Sequence, residues 1–209
     1  MYKIVKIPKN TTITVIGDVY NQEHLLNELI NKIKPSSTNL LVSVGNLNKD
    51  LYKYFDNDYS YVVRGNSEQG DIFSNEASYP SYLSISFIFD NQIKITVVHG
   101  GISFCHTEQD FGSNIEIVYL SYIDSKGKFI PVKYENDIIK PIYKGKLWHE
   151  VYDGSFGYVI SGNNVYRDSE IRSYPHSCNI DTSCDKTGVL SAIKYSEHRR
   201  EEIIQVSKS

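Results

Sequence analysis

Four runs of apolar residues, many of them β-branched, occur in the first hundred residues, and a short polar turn follows each run. The runs are TITVI (12–16), LLVSV (40–44), SYVVR (60–64) and QIKITVV (92–98), and the polar residues that follow are Asp18, Asn46, Asn66 and His99. Apolar runs of this length predict strands buried on both faces of a sheet. Sites in α/β sheets form along the carboxyl ends of the strands, so we expect these polar residues to mark a site.

The rest of the pattern adds one helix and several further strands. Leucine and isoleucine at helical spacing in HLLNELINKI predict a helix over about residues 22–34, before Pro35. SYLSISFIFDNQIKITVV predicts a β-hairpin that turns at Asp90 and Asn91. Residues 114–132 alternate like another pair of strands, FGYVIS and GVLSAIKYS predict two more, and the charged residues 198–209 are expected to form a short helix or a frayed end. The predicted fold class is α/β, in a single domain covering residues 1–209.

Composition fits one globular domain and excludes several function classes. The 209 residues hold 22 Lys and Arg against 25 Asp and Glu, a formal charge of −3. A general electrostatic footprint for nucleic acid is therefore not expected, although a local basic patch is compatible with this charge. No apolar run approaches the roughly 20 residues that span a bilayer, and MYKIVKIPKN lacks the apolar segment of a secretory signal. We expect a cytoplasmic protein without membrane association.

Three cysteines, Cys105, Cys178 and Cys184, are too few for a disulfide framework and agree with a reducing compartment. Cys178 and Cys184 have the spacing C-x5-C without a second pair, which is a weak zinc signal. Free cysteine usually packs as a small apolar residue, so buried thiols are the favoured interpretation.

Seven segments of the chain resemble, in order, the motifs of one enzyme family. IGDVYNQEHLL, SVGNLNKD, VVRGNSEQ, VVHGGI and VISGNN resemble the patterns GDxHG, GDxxDRG, GNHE, HGG and GH of calcineurin-like metallophosphoesterases. LWHEVYDGSFGYVISGN and NIDTSCDKTGVLSAIKYSE are similar to the tryptophan-containing segment and the IDTGC-x-x-GG-x-LTA ending of the ApaH-like phosphatase branch. The resemblance covers about residues 12–197 and implies central β-sheets flanked by helices.

The resemblance implies a site for two divalent metal ions, about 3.5–4 Å apart, that activate a water to attack phosphorus. Six protein ligands hold these ions in the family, and one of them, an Asp, bridges the two. Half of the six positions are substituted in this chain, so its metal motifs are degenerate. The positions that match are Asp18, Asn66 and His99, and the substituted positions are Tyr20 for a His, Asn46 for the bridging Asp and Asn163 for a His.

Other positions of the family's chemistry are also substituted. Ser67 stands where the family has a catalytic His, and Lys49 and Asp50 stand where it has an Asp and a phosphate-holding Arg. One carboxylate and one imidazole hold two divalent ions weakly, because neutral amides and a phenol are poor ligands. No cofactor is therefore expected, and a single weakly held manganese or zinc ion is the alternative. Arg64 is a candidate phosphate ligand or an ion-pair partner of Asp50.

Each of these residues also has a purely structural interpretation. Asp18 suits the N-cap of the following helix, and Asn46 and Asn66 suit turns. His99 without its co-ligands is more typical of a buried histidine than of a metal ligand, and Asn163 suits a loop. Trp148 and Tyr152 are more typical of a core or a cleft wall than of a platform on which bases stack.

The sequence favours a catalytically impaired or inactive ApaH-like phosphatase, a pseudophosphatase that serves as a binding module for a protein or ribonucleoprotein partner. Two alternatives stay open. One is a phosphoesterase with a rearranged or single-metal site, and the other is a metal-independent sensor or sponge for nucleotides that holds phosphates with Arg64 and backbone amides. The family assignment predicts that one side of the sheet gathers Tyr20, Asn46, Asn66, Ser67, His99 and Asn163.

Overall fold

Two β-sheets make up most of the protein, whose computed structural model describes residues 1–68, 82–136, 138–197 and 200–208. The strands are β1 (Tyr2–Ile7), β2 (Thr12–Ile16), β3 (Asn39–Ser43), β4 (Ser60–Val62), β5 (Ser84–Phe89), β6 (Lys94–Val98), β7 (Tyr122–Ile123), β8 (Val132–Glu135), β9 (Ile138–Pro141), β10 (Lys146–Leu147), β11 (Tyr158–Ser161), β12 (Arg172–Ser173), β13 (Ser177–Asn179), β14 (Val189–Tyr195) and β15 (Arg200–Ser207). The helices are α1 (Glu23–Ile33), α2 (Asp110–Ser113), α3 (Glu116–Tyr119) and α4 (Cys184–Thr187), with 3-10 turns at Lys49–Phe55 and Trp148–Glu150.

The strand order explains how the chain brings distant motifs to one place. One sheet has the order β1-β5-β6-β11-β13-β12, and the other has the order β15-β14-β2-β3-β4. β2, β3 and β4 are parallel neighbours in the second sheet, and β6 and β11 are parallel neighbours in the first. The carboxyl ends of β2, β3 and β4 therefore lie along one edge of the second sheet, and those of β6 and β11 lie along one edge of the first.

The main core lies between the two sheets. Ile13, Val15 and Val42 from the second sheet pack against Phe87 and Val97 from the first, and all five are buried. The alternate side chains of β2 and β3 point away from this core toward α1, whose leucines bury the outer face of the second sheet. Successive side chains of a strand point to opposite faces of the sheet, so β2 and β3 pack against the first sheet on one face and against α1 on the other.

Most of the predicted elements are confirmed. The helix predicted over 22–34 is α1, the hairpin predicted at residues 90 and 91 joins β5 to β6, and FGYVIS and GVLSAIKYS contain β11 and β14. The third apolar run forms the short strand β4. The first strand, β1, was not predicted, because its alternation of exposed and half-buried residues reflects an edge position rather than a buried run.

The prediction of two strands across residues 114–132 is wrong in its first half. Residues 116–119 form α3, because Asn114 Oδ1 accepts a hydrogen bond from the Glu116 backbone N–H at 2.9 Å and starts a helical turn. Helical spacing then places Ile117 and Leu120 in one buried cluster. β7 follows and pairs with β10, and Ile123 also forms an isolated antiparallel bridge with Phe129, so the second half of the prediction is confirmed in this short pairing.

The prediction for the charged tail is also wrong, because residues 200–207 form β15. This strand pairs antiparallel with β14 from Val189↔Ser207 to Tyr195↔Arg200. Val206 is buried in the cluster that contains the α1 leucines, whereas Ile203 is exposed. Charged side chains are common on edge strands, because they discourage pairing with other chains. In the part of the chain that the structure describes, no helix is long and apolar enough to cross a membrane.

Candidate functional site

Polar residues after five strands, three in one sheet and two in the other, meet at the carboxyl ends of the strands. Asp18, Asn46 and Ser67 follow β2, β3 and β4 in the five-stranded sheet. His99 and Asn163 follow β6 and β11 in the six-stranded sheet. These residues come from segments that are as far apart in sequence as 18 and 163, so the fold alone makes them neighbours.

A chain of hydrogen bonds runs through the substituted motifs. Asn46 Nδ2 donates to Asp18 Oδ2 at 2.8 Å. Asn46 Oδ1 accepts from both the backbone N–H and the hydroxyl of Ser67, at 2.9 and 2.8 Å. Every hydrogen-bonding group of the Asn46 side chain thus has a role in tying the ends of β2, β3 and β4 together.

His99 lies against the same carboxylate. Its Nδ1 lies 2.9 Å from the carbonyl oxygen of Val44, to which it donates, and 3.8 Å from Asp18 Oδ1. Donation at Nδ1 leaves Nε2 as the unprotonated nitrogen of the neutral ring. His99 Nε2 and Asp18 Oδ1 are both buried, and among the described residues neither makes a hydrogen bond of ordinary geometry, although the Asn163 backbone N–H is close enough to lower the pKa of Asp18. Burying such groups without partners costs free energy, so these two atoms are suited to bind something.

Two glycines allow this close approach. A Cβ on Gly162 would lie 2.0 Å from Asp18 Oδ1, so the residue before Asn163 has no room for any side chain. Gly45 has a φ of 105°, and a Cβ there would lie 2.5 Å from the Gly65 backbone nitrogen. Both glycines of these family-like motifs are therefore required by the packing of the strand ends.

The three substituted ligand positions share a left-handed backbone. φ is 56° at Tyr20, 54° at Asn46 and 56° at Asn163. Asparagine enters this region more readily than most residues, so turn geometry explains two of the three. Tyr20 adds a donor to the site, because its hydroxyl lies 3.4 Å from Asp18 Oδ2. Asn163 Nδ2 instead donates to Ser121 Oγ at 3.0 Å, on the segment that leads into β7.

Burial controls the pKa values of the ionisable groups at the site. It raises the pKa of Asp18 well above its usual range, although the hydrogen bond from Asn46 opposes this. Burial also raises the pKa of Asp181 to about 8, with the charge of Asp18 adding to the effect. The pKa of His99 is lowered by burial, so its ring is neutral at pH 7. The site therefore carries less charge than its residue types suggest.

Glu68 is a structural anchor that sequence reasoning did not single out. Its Oε1 accepts from the Leu47 backbone N–H at 2.7 Å and from the Tyr52 hydroxyl at 3.2 Å. Its Oε2 accepts from the Gly65 backbone N–H at 2.9 Å. The buried carboxylate thus holds the loops after β3 and β4 in register. Its position as the fourth residue of GNSE, where the family has GNHE, was the available signal.

The segment NIDTSC contributes two further buried groups. Asp181 accepts hydrogen bonds from the backbone N–H groups of Asn164, at 2.8 Å, and Ser183, at 2.7 Å. The Cys184 thiol donates to the carbonyl oxygen of Asp18 at 3.1 Å. Sequence reasoning used this segment for the family resemblance, interpreted Cys184 as a buried thiol and gave Asp181 no role.

The other predicted site residues lie around this network rather than in it. Lys49 and Asp50 begin the 3-10 turn after Asn48 and are exposed, and Asn66 is half-buried beside Ser67. Lys49 and Ser67 line a cleft of about 360 Å3 together with Tyr20. Burial lowers the pKa of the Met1 amino group, and the nearby charge of Arg64 adds to the effect. A phosphate role for Arg64 and an ion pair with Asp50 both stay predictions.

The donors of this site do not fit two divalent ions. A bridging ligand needs an anionic oxygen toward both ions, whereas Asn46 presents an amide N–H to Asp18 and its carbonyl oxygen is occupied by Ser67. Among residues 1–68, 82–136, 138–197 and 200–208, no three His, Cys, Asp or Glu side chains are arranged to share an ion. Asp18 Oδ1 and His99 Nε2 could at most contribute to one ion.

The remaining candidates are part of the core. Trp148 and Tyr152 are buried in one cluster with Ile102 and Phe111, which agrees with the core interpretation. Cys178 and Cys184 are buried, whereas Cys105 is exposed.

Comparison with known proteins shows similarity in sequence and in fold. The family model named calcineurin-like phosphoesterase matches residues 11–178. A solved structure provisionally assigned as a diadenosine tetraphosphatase is 18% identical and has a TM-score of 0.67, with 98% of this chain and 97% of that chain covered. A protein serine/threonine phosphatase from Saccharomyces cerevisiae, similar to human phosphatase PP5, is 12% identical with a TM-score of 0.56, and 99% of this chain and 84% of that chain are covered. No curated protein sequence matches significantly.

Proposed function

Because this chain belongs to the calcineurin-like phosphoesterase family across residues 11–178, we propose that it is a catalytically impaired member, a pseudophosphatase. Its role is to bind a protein or ribonucleoprotein partner on a scaffold that keeps the ApaH-like fold. The proposal concerns hydrolysis that depends on two metal ions, which is the chemistry that the family resemblance implies.

The hydrogen bond between Asn46 and Asp18 is the observation that carries the proposal. The Nδ2–Oδ2 distance of 2.8 Å places a neutral donor directly on the carboxylate that would otherwise face a metal ion. Ser67, which stands at the position of the catalytic histidine, holds the other end of the same amide. The two substitutions complement each other, and together they form a stable polar network in place of a bridged pair of ions.

Charge supports the same conclusion. Two divalent ions bring four positive charges, and the site offers the carboxylate of Asp18 and the neutral imidazole of His99. Asp181 and Glu68 use their carboxylate oxygens to hold backbone N–H groups, so they are not available as replacement ligands without breaking loop structure. General acid and base groups contribute roughly 100- to 10,000-fold to rates, and serine replaces the family's histidine here.

Restoration of the family residues is the decisive experiment. The variant Tyr20→His/Asn46→Asp/Ser67→His/Asn163→His returns the three substituted ligand positions and the position of the catalytic histidine to the family pattern. After growth with manganese and zinc, we expect negligible metal in the wild-type protein by mass spectrometry and bound metal in the restored variant. Hydrolysis of p-nitrophenyl phosphate and of diadenosine tetraphosphate should be at background for the wild type and should rise for the restored variant.

The control is Asp18→Ala in both backgrounds. In the restored variant it should remove metal and activity together. Wild-type hydrolysis that disappears with a chelator and with Asp18→Ala would contradict the proposal, whatever the restored variant does.

A second candidate function is hydrolysis with a single ion, and the unpartnered atoms of Asp18 and His99 favour it. In that case the wild-type protein should bind one manganese or zinc ion per chain, and His99→Ala should abolish the binding. A third candidate, metal-independent nucleotide binding, has support in the cleft lined by Lys49 and Ser67. Binding of a dinucleoside polyphosphate in the presence of chelator, weakened by Lys49→Ala, would distinguish it from the other two.

A further inference from the structure

The segment from residue 122 to residue 147 has a different charge from the rest of the chain. It contains six lysines against three acidic residues, a formal charge of +3, whereas the remainder carries −6. The lysines are Lys126, Lys128, Lys133, Lys140, Lys144 and Lys146. An overall negative protein thus has one local region of positive charge.

The fold gathers this segment into one continuous surface. β7 pairs with β10, which places Lys146 opposite Ile123, and β8 pairs with β9, which places Lys133 opposite Lys140. The Ile142 backbone N–H donates to the Pro131 carbonyl oxygen at 3.1 Å and joins the two pairs. We call the exposed residues of 122–136 and 138–147, together with Phe104, the lysine face.

The acidic residues of the lysine face neutralise only part of this charge. Glu135 lies 3.6 Å from the Lys133 ammonium and 3.4 Å from the Lys140 ammonium, so it serves two lysines at once. Asp124 accepts hydrogen bonds from the backbone N–H groups of Lys126 and Lys128, at 2.7 and 3.0 Å. Within the described residues, no ion pair involves Lys144 or Lys146.

Exposed aromatic rings accompany these lysines. Tyr134 is 65% exposed, Tyr143 is 54% exposed and Phe104 is 44% exposed. A cavity of about 530 Å3 is lined by Phe104, Lys144 and Lys146, and also by Asp124, whose Oδ1 is held by the backbone N–H groups of Lys126 and Lys128. Ligand pockets have volumes of roughly 300–1,000 Å3, so this cavity can accept a nucleobase with its sugar. Large exposed rings are costly in water, and their concentration on one face indicates a binding surface.

We infer that the lysine face binds single-stranded nucleic acid, with phosphates on Lys144 and Lys146 and an unpaired base stacked on Phe104 or Tyr143. Lysines that follow a phosphate backbone and rings that stack on bases are the two components of such sites. Single strands are favoured over a duplex, because a base must leave its stack to enter the cavity. The inference extends the proposed binding role to a named surface, but it does not depend on the loss of hydrolysis.

Fluorescence anisotropy with a labelled single-stranded RNA of roughly 12 nucleotides tests the inference. The titration uses the full chain with chelator present, at about 50 mM and about 200 mM salt. Lys144→Glu/Lys146→Glu should weaken binding at least tenfold and lower the salt slope by about two. The matched control, Lys6→Glu/Lys9→Glu on exposed positions of β1 and the turn after it, makes the same charge change and should alter binding less than twofold.

Stacking is tested separately with Phe104→Ala and Tyr143→Ala, since exposed side chains can be changed without disturbing the core. At least one of them should weaken binding by about five- to a hundredfold with the salt slope unchanged. The inference would be overturned if Lys144→Glu/Lys146→Glu and the control Lys6→Glu/Lys9→Glu weakened RNA binding equally. It would also be overturned if the wild-type protein did not bind RNA at low salt. Binding to phosphatidylserine vesicles without binding to RNA would also overturn it, in favour of a membrane surface.

The outcomes also separate this inference from the proposed function. RNA binding that needs Lys144 and Lys146 in a chain that still hydrolyses phosphate esters would remove the proposed loss of catalysis and leave the lysine face standing. A chain that neither hydrolyses phosphate esters nor binds RNA would leave the proposed loss of catalysis standing and would overturn the inference about the lysine face.

Discussion

Asn46 donates its side-chain amide to Asp18 across 2.8 Å, and both residues are buried. The resemblance to metallophosphoesterases implies that the two corresponding residues are carboxylates held together by metal ions. In this protein a neutral amide donor hydrogen-bonds to the carboxylate of Asp18 directly. The ends of β2, β3 and β4 are therefore joined by direct hydrogen bonds through Asn46.

Asn46→Asp tests this interpretation of the pair. A second carboxylate would lose the donated hydrogen bond and would leave two buried acids in contact, which costs roughly 1–3 kcal/mol. For a domain of this size we expect the Tm without metal to fall by about 2–10 °C. Manganese should recover part of the loss, because an ion that binds only the folded state stabilises it. Differential scanning calorimetry with and without manganese measures both effects.

The matched control for the added charge is Asn46→Leu, which removes the same hydrogen bonds and adds no acid. It should lower the Tm and should not respond to manganese. An equal response to manganese in the wild type, Asn46→Asp and Asn46→Leu would show that the ion binds elsewhere.

The strand β15 gives a second prediction, because its two faces differ. Val206 is 3% exposed beside the α1 leucines, whereas Ile203 is 44% exposed. Val206→Ser should reduce the free energy of unfolding by about 1–3 kcal/mol, and Ile203→Ser by less than about 1 kcal/mol. Urea unfolding of the two variants provides the comparison. Equal effects would mean that residues 200–207 do not pack as a strand in solution.

His149 gives a third prediction, which concerns acid pH. The ring stacks between Trp148 and Tyr174, and Ser177 and Ser161 lie within hydrogen-bonding distance of its two nitrogens. Burial lowers the pKa of His149 to about 3, below the ordinary 6.5. The unfolded chain therefore binds a proton that the folded chain does not, between about pH 6.5 and pH 3. The stability contributed by neutral His149 is complete above this window and is lost as the pH falls through it.

The variant His149→Phe keeps an aromatic ring in the stack and cannot bind a proton. The difference in unfolding free energy between wild type and variant should shift by up to about 1.4 kcal/mol per pH unit, in favour of the variant, as the pH falls below about 6. Parallel pH curves for the two proteins would contradict the assignment of the buried neutral ring. His24→Gln, on an exposed position of α1, controls for the loss of a histidine.

Strong local patterns made most of the fold predictable. α1 and the strands β2, β3 and β6 follow from apolar periodicity, because each buries a regular set of side chains. The strand β15 was not predictable in this way, since it is stabilised by backbone pairing with β14 rather than by a local apolar run. Residues 116–119 failed for a related reason, because a single asparagine turn decided between helix and strand.

The sequence by itself determined which residues occupy the strand ends and which chemical groups are missing there, because parallel strands bring their carboxyl ends to one edge whatever the details of packing. Only the tertiary structure decided how the substitutes interact: that Asn46 joins Asp18 to Ser67, that Glu68 holds the loops, and that Lys144 and Lys146 line one cavity. Those contacts depend on distances between segments far apart in the chain, and no local pattern of residues specifies such distances.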